Sequence, residues 1–259
     1  GGDTVNTAFV QAAAPVAPDA VIGVVEGVEV YNRTGKTVPA GAWVWGATMV
    51  ALGWTSLTRG LNSGSTNVNL ITLATDGAGV WLAGLADGYA SRSTDNGATW
   101  TALTRGLNSG STTSSVNGLA TDGAGVWVAG LASGYASRST DNGATWTALT
   151  RGLNSGSTTS GVFKIATDDD GVWVAGLAGG YAARSTDNGA TWTALTQGLT
   201  SGSVSSIYSF ATDGAGVWVA GVVSGWAARS TDNGATWTSL TRGLNSGSTT
   251  SDIYSLATD

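Results

Sequence analysis

Short apolar runs alternate along this chain with corners rich in Gly, Asn and Asp, and the alternation recurs at a fixed interval. Within residues 116–149, positions 116–120 read as a first strand and Val126-Trp127-Val128-Ala129 as a second, rich in residues that favour a pleated surface. Residues 135–139 read as a third strand and residues 146–149 as a fourth. Asp122-Gly123-Ala124-Gly125 turns the chain between the first two. Asp141-Asn142-Gly143 turns it between the last two, because Asn and Gly both tolerate positive φ. A polar linker, residues 151–159, then leads to the next unit. No segment shows the 3.6-residue periodicity of an amphipathic helix, which argues against helical solenoids.

The unit repeats. Ser-Thr-Asp-Asn-Gly-Ala-Thr-Trp occurs at 93–100, 139–146, 185–192 and 230–237, in steps of 46, 46 and 45 residues. Residues 93–138 and 139–184 agree at 38 of 46 positions. Four short antiparallel strands per unit of this length is the periodicity of a β-propeller blade. The strands are too short for an outer-membrane barrel, which needs about 9–11 residues each. A parallel β-helix stays open, although its rungs are usually shorter than this repeat.

First-strand signals recur at 70–75, 116–121, 162–167, 207–212 and 253–258, so four blades are complete, spanning 70–252. Residues 22–58 read as a degenerate first blade: Ala42-Trp43-Val44-Trp45 matches the second strand and Gly53-Trp54-Thr55-Ser56-Leu57 the fourth, without the Asp-Asn-Gly turn. The expectation is an all-β propeller of five blades, with residues 253–259 as the strand that closes the ring on the degenerate blade. The alternative is a larger ring, of which this chain is a part.

Ser-x-Asp-x-Gly-x-x-Trp resembles the Asp-box, or bacterial neuraminidase repeat, over about residues 70–259. That resemblance implies a propeller and leaves function open, since similar boxes occur in sialidases, sortilin-type receptors, photosystem assembly factors, secreted glycosidases and phage proteins. Asp95, Asp141, Asp187 and Asp232 are expected to accept backbone N–H bonds across the turn. Gly97, Gly143, Gly189 and Gly234 are expected at positive φ, and Trp100, Trp146, Trp192 and Trp237 as packed apolar mass. A second indole series, Trp81, Trp127, Trp173 and Trp218, sits in a buried-strand context.

Composition narrows the chemistry. With no Cys and no His, the chain has no disulfide, no thiolate or imidazole metal ligand and no His-dependent triad. A net charge of −6 with only 11 Lys and Arg argues against a nucleic-acid surface. Residues 37–58 carry no charge after Lys36, but Pro39, the glycines and the threonines read as short strands rather than a membrane span. The two Glu, Glu26 and Glu29, lie in the degenerate region, and most of the 15 Asp sit at repeated turns. A glycosidase needs two carboxylates in distinct environments, and near-identical repeats supply near-identical ones. The arginines are also periodic: Arg92, Arg138, Arg184 and Arg229 precede each octet, while Arg59, Arg105, Arg151 and Arg242 follow each fourth strand, with Gln197 in the remaining copy. Such positions are expected to be solvated or Asp-paired rather than to converge on one substrate carboxylate, as in a sialidase. Asp168-Asp169-Asp170 is read as a solvated turn in preference to a Ca²⁺ loop. No catalytic residue, cofactor or metal ligand is expected.

Divergence between copies points to binding. Asn117-Gly118 is replaced by Ile71-Thr72, Phe163-Lys164, Tyr208-Ser209 and Tyr254-Ser255. An aromatic residue always opens the third strand: Tyr89, Tyr135, Tyr181 and Trp226. These rings, with Phe163, Lys164 and Tyr208, are the candidate ligand contacts, because an aromatic face stacks on a sugar ring; covering a blade edge is the other reading of the Tyr89 series.

Residues 1–21 are rich in Ala, Val, Pro and Thr and read as an extended arm. The string from Tyr31 to Trp45, with Asn32-Arg33-Thr34-Gly35 followed by Val38-Pro39-Ala40-Gly41 and an apolar strand, resembles a β-element of tailed-phage virion proteins. The resulting expectation is a non-enzymatic structural protein of a fibre, spike or tail tip on the virion exterior, homo-oligomeric, docked on other virion subunits through the arm and contacting a host-surface glycan. Neither nucleic acid nor membrane insertion is expected. One alternative is a secreted or cell-surface bacterial propeller that binds carbohydrate or protein; a glycoside hydrolase is the other.

Overall fold

A computed structural model describes residues 56–200, 205–246 and 250–258. The arm at 1–21 and almost all of the degenerate blade at 22–58 lie outside the described residues.

The described chain forms four sheets, each of four antiparallel strands in the order in which they occur in sequence. The first sheet comprises β1 (Leu70–Thr75), β2 (Trp81–Leu85), β3 (Ala90–Ser93) and β4 (Thr101–Ala102). The second comprises β5 (Val116–Thr121), β6 (Trp127–Leu131), β7 (Ala136–Ser139) and β8 (Thr147–Ala148). The third comprises β9 (Val162–Thr167), β10 (Trp173–Leu177), β11 (Ala182–Ser185) and β12 (Thr193–Ala194). The fourth comprises β13 (Ile207–Thr212), β14 (Trp218–Val222), β15 (Ala227–Ser230) and β16 (Thr238–Ser239). The fourth strand of each blade is shorter than its apolar pattern suggests, because the buried Trp before it belongs to the turn. Residues 253–258, expected to close the ring, carry no strand pairing among the described residues, and the segment expected to pair with them lies outside those residues.

Successive blades pack through one repeated joint. The second strand of each blade carries a Gly against which the next blade's first strand presses. A Cβ on Gly176 would lie 2.7 Å from Ile207 Cγ2, and one on Gly221 would lie 2.5 Å from Ile253 Cγ2. A side chain there would push the blades apart, so this Gly is required by close approach. Residue 253 thus seats on the fourth blade as a further first strand would. Ser209 Oγ donates to the Ile253 carbonyl at 3.0 Å, and Thr258 Oγ1 donates to the Thr212 carbonyl at 2.9 Å.

Between these seats lies the core. Trp127, Trp173 and Trp218 are fully buried among Val, Leu and Ile side chains drawn from two adjacent blades. No described blade precedes β1, and there the same positions are open: Leu70 is 52% exposed, whereas its counterparts Val116, Val162 and Ile207 are 0% exposed.

Among the described residues, two buried hydroxyls, Ser91 Oγ and Ser137 Oγ, have no hydrogen-bond partner. Their counterparts in the third and fourth blades are buried alanines, Ala183 and Ala228. Removing a buried unpaired polar group relieves a desolvation cost of about 1–3 kcal/mol. Ser137→Ala is therefore expected to raise stability by about 1 kcal/mol, measured as an increase in the urea midpoint at unchanged m-value. A decrease would mean that the hydroxyl is satisfied by water.

Candidate functional site

Each blade has two differently built ends. One end carries the turn between the first and second strands together with the octet. The other carries the corner between the second and third strands, the linker to the next blade and the start of the first strand.

At the octet end, side chains are consumed by the turn itself. Asp95 Oδ1 accepts the Thr99 backbone N–H at 2.8 Å and the Ser93 hydroxyl at 2.7 Å, while Oδ2 accepts the Thr99 hydroxyl at 2.6 Å. Asp141, Asp187 and Asp232 repeat the set with Thr145, Thr191 and Thr236. Hydrogen bonds from Thr99 and Ser93 hold the Asp95 carboxyl down at about 2, and the Thr145 and Thr236 bonds do the same for Asp141 and Asp232. Asp187 is also lowered; its burial opposes the shift and the Thr191 and Ser185 bonds outweigh it. Gly97, Gly143, Gly189 and Gly234 have φ of 83°, 79°, 78° and 77°. Trp100, Trp146, Trp192 and Trp237 are buried, each donating its indole N–H to the carbonyl of its own octet Gly.

The octet Asn has a role that the sequence reading missed. Asn188, at φ 56°, accepts the Trp173 indole N–H on Oδ1 at 2.8 Å and donates from Nδ2 to Asp122 Oδ2 of the preceding blade at 3.0 Å. Its backbone carbonyl accepts Arg138 Nε of that same preceding blade at 2.9 Å. Asn142 makes the equivalent three bonds to Trp127, Asp76 and Arg92. Arg184 likewise donates to the Asn233 carbonyl at 2.8 Å. Arg92, Arg138 and Arg184 are therefore clamps between blades, whereas Arg229 of the same series is exposed, as the repeat pattern suggests. The signal was available in the spacing: Arg92 and Asn142 are 50 residues apart, one repeat plus the distance from Arg to Asn within a turn. In the first blade Asn96 is exposed, and the buried Trp81 Nε1 has no partner among the described residues.

Asp169 shifts opposite to the octet carboxylates. Burial raises its pKa, and the charges of Asp122 and Asp168 add to the effect. Among the described residues, no group of three His, Cys, Asp or Glu is placed to hold a metal ion. No described helix is long and apolar enough to cross a membrane.

The opposite end holds the candidate ligand contacts, in two separate sets. Tyr89, Tyr135 and Trp226 are half-buried, with the guanidinium of Arg105, Arg151 or Arg242 over the ring at 4.2, 4.3 and 4.8 Å from the centroid. Each of those arginines is fixed by donating Nε to a corner carbonyl, of Asp87, Ser133 or Ser224. These three ring faces are covered from within the chain, which favours the blade-edge reading over sugar stacking. Beside Tyr181, Gln197 replaces the cation and donates Nε2 to the Gly179 carbonyl at 2.7 Å.

The second set lies on the first strands. In every blade the pairing of first and second strands slips by one residue, between Leu70 and Thr72, Val116 and Gly118, Val162 and Lys164, and Ile207 and Ser209. The unpaired residue is Ile71, Asn117, Phe163 or Tyr208. A bulge re-aims its side chain out of the ladder. Phe163 and Tyr208 meet with ring centroids 5.3 Å apart, and Tyr208 and Tyr254 stack at 5.6 Å. A position at which every copy differs, Ile71, Asn117, Phe163 and Tyr208, is thus the position at which the ladder slips.

No family model matches the chain, and no curated protein matches it. Solved structures do. A GH74 xyloglucanase from Xanthomonas campestris superposes with a TM-score of 0.53 at 18% identity, over 73% of this chain and 33% of that one. The computationally designed Ika8 protein gives 0.52 at 16%, over 73% of this chain and 52% of that one. YCF48 bound to D1 peptide gives 0.51 at 14%, over 68% and 56%.

The fold is a β-propeller. At these identities the likeness carries the fold alone, and the matched region spans between about a third and somewhat over half of the neighbours' lengths. The propeller of this chain presents four regular blades among the described residues.

Proposed function

We propose that this propeller is a non-enzymatic display element of a phage virion, a fibre, spike or tail-tip component on the particle exterior. The observation that carries the display reading is the division within each blade. The octet end is a near-invariant frame whose polar groups are engaged in turns and joints. The bulge end varies from copy to copy at the position where the first-strand ladder slips. A frame that repeats while one exposed position changes suits recognition; catalysis needs unlike groups converging on one bond. The octet carboxylates, held ionised by their Thr and Ser partners, are unsuited to donating a proton at neutral pH.

Placement on a virion rests on the resemblance of residues 31–45 to tailed-phage proteins, with the arm at 1–21 as the segment that docks on other subunits and the chain as part of a homo-oligomer. The Asp-box resemblance of the octet is compatible with this placement. A secreted or surface-attached bacterial propeller that binds carbohydrate or protein is the second reading, favoured by the same bulge row. Mass spectrometry of purified particles from the source is expected to detect this chain at stoichiometric abundance with the capsid proteins. Recovery in the culture supernatant or on the cell envelope, and not in particles, would favour the second reading.

A further inference from the structure

We infer that the row formed by the bulge residues Asn117, Phe163 and Tyr208 and by Tyr254 after them, with Lys164 beside it, is an oligosaccharide-binding site. The inference rests on the display reading above and names the ligand class of its variable face.

Four observations converge on it. The bulge recurs at the same step of the first strand in each blade, so the row is built by backbone geometry and its side chains are free to vary. The rings of Phe163, Tyr208 and Tyr254 run continuously across two blades and the segment after them. Tyr254 is 70% exposed, and Phe163, Tyr208 and Asn117 are half-buried, so the row is open on one side and anchored on the other. Its polar groups are of the kind that hydroxyls recognise: an amide at Asn117, the phenol of Tyr208, an ammonium at Lys164, and the carboxylate of Asp252, which accepts the Tyr254 hydroxyl at 2.8 Å. The C–H face of a hexose stacks on aromatic rings while its hydroxyls bond amides and carboxylates at the rim, and this row offers both chemistries along one line.

Tyr208 and Tyr254 cover one face of each other but leave Tyr254 largely exposed, whereas Tyr89, Tyr135 and Trp226 are half-buried with a guanidinium over the face of each. They therefore serve as the internal comparison.

The test uses the full chain, fluorescently labelled, on a printed array of neutral and acidic oligosaccharides. Binding to one structural class is expected, weakened about tenfold or more in Tyr208→Ala and in Tyr254→Ala, the loss expected when one stacked ring is removed. Tyr254 is exposed, so its variant reports on binding even where Tyr208→Ala does not fold. Tyr208→Phe is expected to keep most of the affinity. Arg151→Gln, which alters the covered ring of Tyr135, is expected to leave binding unchanged. Silence of the wild-type chain across the array overturns the inference, as does full binding by Tyr254→Ala or loss of binding in Arg151→Gln at unchanged melting temperature. The virion reading fails separately: a chain found in particles yet silent on the array sinks only the glycan assignment, and a chain that binds glycan yet is missing from particles sinks only the placement.

Discussion

Trp173→Ala is expected to destabilise the propeller by about 3–5 kcal/mol, the range for emptying a fully buried large aromatic site. Trp173 is 0% exposed and sits among Val128, Leu153, Val162, Ile165 and Leu177, side chains drawn from two blades. Its removal leaves a cavity at a joint and strands Asn188 Oδ1, which otherwise accepts the indole N–H. The amide of Asn188 also holds Asp122 of the preceding blade, so the defect spreads across the interface instead of staying in one sheet. Trp81→Ala supplies the comparison. Trp81 occupies the same strand position, is only half-buried, and its Nε1 has no partner among the described residues. A clearly smaller loss is expected there. Urea denaturation followed by circular dichroism measures both. Equal losses at the two positions would show that burial between blades is not what holds them together.

Leu153→Ala is expected to cost about 2–5 kcal/mol, although Leu153 lies in what reads as a polar linker. Three successive residues there adopt the left-handed region: Gly152 at φ 72°, Leu153 at 49° and Asn154 at 52°. For a Leu that conformation costs about 1–2 kcal/mol. The side chain is fully buried in the joint with Trp173 and Trp192, and that burial offsets the strain. Alanine keeps the strain and loses the burial. Leu244 has the same backbone, at φ 48°, but is 40% exposed. Leu244→Gly is accordingly expected to be neutral or stabilising by up to about 1 kcal/mol, since glycine relieves the strain and little burial is lost. The measurement is the contrast in urea midpoint, a large fall for Leu153→Ala against no fall for Leu244→Gly. Destabilisation of similar size at both would mean that the linkers are held by something other than the buried leucine.

The linker shows why part of the fold was not legible in the chain. Residues 151–159 contain Arg, Gly, Asn, Ser and Thr, and composition alone assigns them to solvent. One Leu in that run is core, because a left-handed turn swings it under the sheet, and no local propensity favours Leu in that conformation. The clamps were hidden differently. Arg138 and Asn188 are far apart in sequence, and only the packing of one blade on the next brings guanidinium and carbonyl to 2.9 Å. For the candidate site the balance is reversed at one place and repeated at another. Divergence between copies marks Phe163, Lys164 and Tyr208 in the sequence, and the structure adds that the ladder slips there, whereas only the structure shows a guanidinium over the rings of Tyr89 and Tyr135.

From the amino-acid order alone came the number and type of strands in each unit, the tight turns and the identity of the buried indoles. These depend on period-two apolar alternation and on residues that tolerate positive φ, both properties of a few neighbouring positions. Tertiary structure alone decided which polar groups join one blade to the next, where the first-strand ladder slips and which aromatic faces a guanidinium covers. Those depend on the distance between surfaces separated by a whole repeat, which no local pattern encodes.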